Sequence, residues 1–308
     1  SSDLVPHLLA PLQLEDGAAA AVCSQWADGW KATSEGRRRL RQVAFDFPQD
    51  LLGTRLFNIA VIPDGDELVV SSRSTVHILR RDMSSGTSFE LPISFGYIAA
   101  GEQFFYVNGS DGGITSLTHD GTVVVSYTDP DKDVYSPVLA PGGLFCVLAD
   151  DDDPEQDEII ALDAQTMEPR HRFGLSLFNH ACGLMVIDEE VFVCDKNNDR
   201  LQVFSLAGEH RRSITGEWKR PVAVCFVKDR LYLTEEAVGK EDDEGEPISP
   251  LPGRRIFVLS LQGDTLQVYT NPNEGQIFDA LYYFDGKLLA TVRNNRPGCV
   301  GVMAMAGA

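Results

Sequence analysis

No apolar run in these 308 residues approaches the ~20 residues that a membrane span requires. The first residues lack the basic start and long apolar core of a cleavable signal peptide. The chain begins at Ser1 rather than Met, so a processed or partial form is expected, with any upstream targeting residues lost. Positive charge is scarce: 26 Lys and Arg stand against 46 Asp and Glu, a net charge of −20. A chain so acidic does not offer the basic surface that nucleic acid selects. Cysteine is also sparse. None of Cys23, Cys146, Cys182, Cys194, Cys225 and Cys299 forms a C-x-x-C pair, and several lie in apolar strands. Buried free thiols of a reducing compartment are expected, hence a cytoplasmic or nuclear location. A nucleophile elbow, a P-loop and an H-E-x-x-H helix are all missing. No cofactor is expected, and no catalytic residue stands out.

What the chain does have is a repeat. Gly183–Ile214 reads as one unit of four short strands joined by turns. Val191, Val193 and Asp195 alternate with Phe192 and Cys194. Asn197-Asn198-Asp199 supplies residues that tolerate left-handed turns. Leu201, Val203 and Ser205 then alternate with Gln202 and Phe204, and a polar strand ends at Ile214. Such short loops force antiparallel neighbours. A lone sheet of this size is not stable and needs copies to pack against. Similar strand–turn–strand units begin at residues 58, 97, 135, 180, 221 and 279, spaced by 39, 38, 45, 41 and 58. A period of about 40 is that of a propeller blade. The one long spacing contains an acidic, proline-rich insertion over 238–252, either a functional loop or a tolerated one. The fold expected is all-β: a six-bladed β-propeller of four-stranded antiparallel blades over 41–308, behind a short helical arm over 1–40.

The ring also needs closing. The last unit offers only three strands, Asp279–Phe284, Lys287–Val292 and Cys299–Met305. The alternating stretch Arg41–Phe47 is the candidate for its fourth strand, which would remove an exposed sheet edge.

Two resemblances follow from named residues. Asp195-Lys-Asn-Asn-Asp-Arg-Leu-Gln-Val-Phe204 resembles the NHL repeat, and the likeness continues across Ala181–Thr234. The remaining blades share only the pattern. In the arm, Ala19, Val22, Cys23, Trp26 and Trp30 fall on one helical face. The segment from Asp3 to Trp30 resembles an F-box. It has the joint Pro11-Leu12-Gln13-Leu14-Glu15-Asp16 and the ending Val22-Cys23-Ser24-Gln25-Trp26, but not the usual leading Leu-Pro pair. That resemblance implies a Skp-type adaptor bound through Leu8, Leu9, Leu12 and Leu14, and a role as substrate receptor of a cullin–RING ubiquitin ligase. The other reading of the arm is a helical cap packed on the propeller.

Aromatic and basic residues open the inner strands: Phe57, Tyr97, Tyr135, Phe178, Trp218, Arg220 and Phe278. These are types that anchor interfaces, and they are expected to ring the face that docks a protein partner. An alternative comes from lactonase-like and strictosidine synthase-like propellers, which hold a divalent metal in the tunnel through Glu, Asn and Asp. Here Asn58, Asn179, His180 and Asp279 lie near inner-strand heads, with no clear Glu among them. Metal-dependent hydrolysis is therefore the runner-up, and a scaffold subunit of a larger assembly the third possibility. The four aspartates in Ala149–Asp157 lack the order of a calcium loop and read as a solvated turn.

Overall fold

The computed structural model describes residues 38–48, 51, 56–63, 67–72, 74–91, 95–236, 253–294 and 300–307. Residues 1–37, with Leu8, Leu9, Leu12 and Leu14, lie outside that set, as does the insertion over 237–252.

The described strands form six separate four-stranded antiparallel sheets. Blade 1 holds β2 (Leu56–Val61), β3 (Glu67–Ser72), β4 (Thr75–Arg80) and β5 (Ser85–Glu90). Blade 2 holds β6 (Phe95–Ala100), β7 (Phe104–Gly109), β8 (Ile114–Thr118) and β9 (Val123–Tyr127). Blade 3 holds β10 (Asp133–Ala140), β11 (Gly143–Ala149), β12 (Glu158–Leu162) and β13 (Pro169–Phe173). Blade 4 holds β14 (Ala181–Ile187), β15 (Glu190–Asp195), β16 (Arg200–Ser205) and β17 (His210–Thr215). Blade 5 holds β18 (Pro221–Val227), β19 (Arg230–Glu235), β20 (Arg255–Leu259) and β21 (Thr265–Thr270). Blade 6 holds β22 (Gln276–Phe284), β23 (Lys287–Asn294) and β24 (Val300–Ala306), with β1 (Arg41–Val43) as its fourth strand.

The residue pattern explains the radial order. Second strands are packed on both faces, so they are nearly continuous apolar runs, such as Val191–Cys194 and Leu231–Leu233. Outermost strands are polar and largely exposed, as in His210–Thr215 and Ser85–Glu90, which discourages edge-to-edge association. The described core divides into six clusters, each filled by two adjacent blades. Cys146, Cys182, Cys194 and Cys225 are free thiols, three of them buried.

Closure is shorter than the expected seven residues but anchored at both ends. Arg41, Gln42 and Val43 pair with Ala306, Met305 and Ala304. Just before them, Leu40 exchanges two hydrogen bonds with the Gln267 side chain of β21: its N–H donates to Oε1 at 2.8 Å and its carbonyl accepts from Nε2 at 3.2 Å. Arg38 pairs with Asp229. After the strand, Phe47 and Leu51 fill the cluster between blades 6 and 1. The segment thus binds blades 5, 6 and 1 together.

Truncating Phe47→Ala should cost about 3–5 kcal/mol, as expected for a buried aromatic. A chain starting at Arg38 should melt near the parent, and one starting at Gln49 far below it. Equal melting temperatures for the two truncations would contradict closure by this segment.

Candidate interaction face

In each blade the loop between second and third strands and the loop leading to the next blade emerge on one face of the ring, here called the upper face. They touch across blades. The His180 N–H donates to the Pro154 carbonyl at 3.1 Å, and the Asn197 N–H to the Asn179 carbonyl at 3.0 Å.

These contacts are fixed by carboxylates at the upper ends of second strands. Asp195, fully buried, ends β15. It accepts from the Asn179 N–H at 2.8 Å, from Arg200 Nε at 2.7 Å and from Asn198 Nδ2 at 3.0 Å. Glu235 ends β19 in the same way. It accepts from the Lys219 N–H at 3.0 Å and, through both oxygens, from Arg255 at 2.6 and 2.7 Å. In both blades an acid on the second strand holds the entry loop and clasps an arginine that opens the third strand. Four residues separate the pair in blade 4. In blade 5 the undescribed insertion lies between them. Blade 3 uses Asp157 instead, which accepts from the N–H groups of Asp150 and Ala181 at 2.9 and 2.8 Å. The four-aspartate run beside it forms turns: Asp150 accepts from the N–H groups of Asp152 and Asp153, and Asp153 from Glu155.

The upper face over blades 4 and 5 carries a linked set of ion pairs. Glu236 receives Lys196 at 3.0 Å and Arg220 at 2.7 Å, and Asp199 receives Lys219 at 2.9 Å. Burial alone would raise the Glu236 carboxyl, but its bonds to Lys196 and Arg220 carry it below the ordinary value. His180 is pushed down by burial, with Lys196 adding to the effect.

The sequence-predicted residues divide between surface and interior. Arg220 is accessible, within the ion-pair set. Tyr97, on the inner strand β6, keeps 41% of its surface. Desolvation of its hydroxyl, reinforced by Asp279, pushes it up to about 12. Tyr135 is partly covered, and its hydroxyl donates to Asp133 at 2.9 Å. Phe178, Trp218 and Phe278 are interior, which corrects their placement on the docking face. Phe178 packs on Phe204 at 5.5 Å between blades 3 and 4, and Trp218 edge-on to Phe257 at 5.8 Å between blades 4 and 5. Blades diverge outward, and these rings fill the resulting wedge. Phe57 lies on β2, its side chain outside the described set.

All six inner strands carry a register irregularity near their upper ends, between Leu56 and Asn58, Phe95 and Ile98, Tyr135 and Val138, Ala181 and Leu184, Pro221 and Ala223, and Phe278 and Leu281. Bulges leave backbone groups unpaired. Polar side chains at the fifth position of second strands meet several of them. Asn108 accepts from the Tyr97 N–H at 2.5 Å, Thr234 donates to the Asp279 carbonyl at 3.2 Å, and Thr291 accepts from the Ala280 N–H at 2.9 Å. Gly183 sits in this collar because a Cβ there would lie 2.3 Å from the Val222 carbonyl oxygen.

Of the candidate metal ligands, Asp279 and Asn179 are engaged through their side chains and Asn58 through its backbone carbonyl. Asp279, raised by burial, faces Arg293 at 3.6 Å. The Asn179 carboxamide oxygen accepts from Asn197 at 2.7 Å, and Asn58 is buried, its carbonyl accepting from Ser71 at 3.1 Å. Among the described residues no three His, Cys, Asp or Glu side chains are grouped as a metal would require.

This chain is a six-bladed β-propeller. Solved structures with the same fold share little of its sequence. It aligns with the luciferin-regenerating enzyme at a TM-score of 0.62 and 13% identity, over 87% of this chain and 95% of that one. The WD40 propeller domain of Doa1 aligns at 0.59 and 11% identity, over 81% and 78%. BamB from Moraxella catarrhalis aligns at 0.53 and 14% identity, over 87% and 98%. No protein-family model and no curated protein matches the sequence. The shared property is the fold.

Two measurements follow from the braces. Removing Glu235 strands Arg255 in a largely buried position, so Glu235→Ala should cost about 3 kcal/mol or more, and Glu235→Leu with Arg255→Met should recover part of it. A loss within 0.5 kcal/mol would exclude the brace. Burial raises Asp157 from 3.8 to about 6. Between those values the folded chain holds a proton that the unfolded chain has released. The associated stability is complete below 3.8 and fades as pH rises through about 6. The stability of the parent relative to Asp157→Asn should therefore be greater at pH 4.5 than at pH 7.5. A pH-independent difference in urea midpoints would refute it.

Proposed function

We propose that this chain is a protein-interaction module whose upper face docks a protein partner, and that it serves as substrate receptor of a Skp–cullin–F-box-type ubiquitin ligase in the cytoplasm or nucleus. The observation that carries the docking reading is the bracing of the upper face. Loops from adjacent blades are tied by Asp195, Glu235, Asp157 and the Glu236 ion pairs into one surface. A surface held in this way loses little freedom on binding. The NHL-like sequence of blade 4 supports the same reading. The ligase role rests on the F-box-like residues of the arm, Leu12 to Asp16 and Val22 to Trp26. Tunnel hydrolysis is the less supported reading, because Asp279 is turned to Arg293 and Asn179 to Asn197.

The test is co-purification of the full-length protein with a recombinant Skp-type adaptor. Stoichiometric capture is expected, with a loss of at least tenfold in affinity for Leu12→Ala/Leu14→Ala at an unchanged melting temperature. Absence of adaptor binding by the full-length protein removes the ligase role and leaves the arm as a cap.

A further inference from the structure

The loop joining blades 3 and 4, Gly174 to His180, presents two leucines to solvent. Leu175 is 52% exposed and Leu177 is 42% exposed. The other large exposed hydrophobics among the described residues are Tyr97 at the channel mouth, Val123 and Val124 on the outer strand β9, and Leu266 and Val268 on the outer strand β21. On the braced loops of the upper face the two leucines therefore stand as a pair of their own.

The loop cannot turn them inward. Its backbone is fixed at Gly174, Ser176 and His180, all with positive φ (87°, 61° and 63°). The Leu177 N–H donates to the Gly174 carbonyl at 2.9 Å. The Leu177 carbonyl accepts from Arg200 Nη2 at 3.1 Å and Gln202 Nε2 at 3.2 Å. Phe178 is sunk beneath the loop and Asn179 is tied to Asp195. Among the described residues nothing covers this apolar pair.

The flanks differ in charge. Toward blade 5, Lys196, Arg200, Lys219 and Arg220 are each matched by Glu236, Asp195 or Asp199. Toward blade 3, the loop touched by His180 exposes Asp151, Asp152, Asp153 and Glu155, none of them in an ion pair among the described residues. Beside the leucines the field is therefore negative on one side and balanced on the other. Acidic or neutral apolar partners gain nothing from that arrangement, and a second copy of this chain, at net charge −20, is repelled.

We propose that Leu175 and Leu177 are the apolar centre of a docking site for a basic protein segment, one that places an aliphatic or aromatic side chain on the leucines and Lys or Arg against the Asp151–Glu155 loop. This rests on the protein-docking reading and specifies the partner class for that face. The apolar contact supplies the retained affinity and the charges the rate and the choice of partner.

The test uses the full-length protein and a fluorescein-labelled 15-residue peptide of leucines and lysines, with a twin in which every lysine is glutamate. Fluorescence anisotropy should show binding of the lysine peptide only. Leu175→Ser/Leu177→Ser should weaken it at least tenfold. Asp151→Asn/Asp152→Asn/Glu155→Gln should weaken it several-fold and flatten its salt dependence. Asp120→Asn/Asp264→Asn, on the opposite face, should leave it unchanged. All variants should keep the parental melting temperature, since each changed side chain is exposed. Equal losses from the two acid-neutralised variants, or parental binding by the leucine variant, would overturn the site. So would leucine-dependent dimerisation in sedimentation, which assigns the pair to a second copy. If a protein partner is identified and still binds the leucine variant, this inference fails while the docking reading stands. Failure of every partner to bind the parent chain would instead remove the reading itself.

Discussion

Each blade buries its two faces against two neighbours, so no blade is complete until the ring is. The sixth sheet takes its fourth strand from the other end of the described chain. It depends on three residues, Arg41–Val43, supplied from more than 250 positions away along the sequence. Pairing of three residues is weak by itself, and the side chains around it explain why it holds. Leu40 clasps Gln267 on one side, and Phe47 enters the last interblade cluster on the other. Fixing the ends converts the strand from an isolated pairing into a member of three packed interfaces. Such a non-local contact is entropically expensive to form early. Folding that builds blades 2 to 5 first and closes last is the route the topology favours.

The braces solve a different problem. A loop leading into an inner strand carries backbone N–H groups that the sheet cannot satisfy, and burying them unpaired would cost about 1–3 kcal/mol each. Asp195 and Glu235 meet those donors and at the same time neutralise an arginine at the start of the third strand. Because the acid and the arginine hold each other, the length of chain between them matters little. That is why blade 5 accepts an insertion where blade 4 has a four-residue turn, with the sheet on either side still in register.

The fold was legible because its signals are repetitive. A period of about 40 residues, buried second strands written as apolar runs, and polar outer strands all recur around the ring. The short turns of blade 4 and the three-stranded end of the chain pointed to the number of sheets. Side-chain destinations were less legible. Phe178 and Trp218 open inner strands, where an aromatic reads equally well as a surface anchor or as a wedge. Which role it takes depends on the divergence of neighbouring blades, and no local pattern encodes that. Asp195 and Arg200 stand close together in the sequence, yet nothing local shows that they pair, and their counterparts Glu235 and Arg255 are split by the insertion and lose that spacing. Leu175 and Leu177 were hidden for the opposite reason. Gly-Leu-Ser-Leu-Phe reads as buried strand, and only the left-handed backbone at Gly174 and Ser176 turns the leucines outward.

The collar of bulges at the channel mouth has a consequence for how such a molecule can change. Side chains there, among them Tyr97, Cys182 and Asp279, belong to residues that have stepped out of the ladder, and several backbone groups of the collar are met by Asn108 and Thr291 on the strand behind and by Thr234 from the neighbouring blade. A substitution at Tyr97, Cys182 or Asp279 therefore alters what lines the opening without removing a rung of the sheet, whereas Gly183, where a Cβ would meet the Val222 carbonyl oxygen, is held by its neighbour. The mouth is open to change at bulged positions that face the opening and locked at those packed on the next blade's backbone.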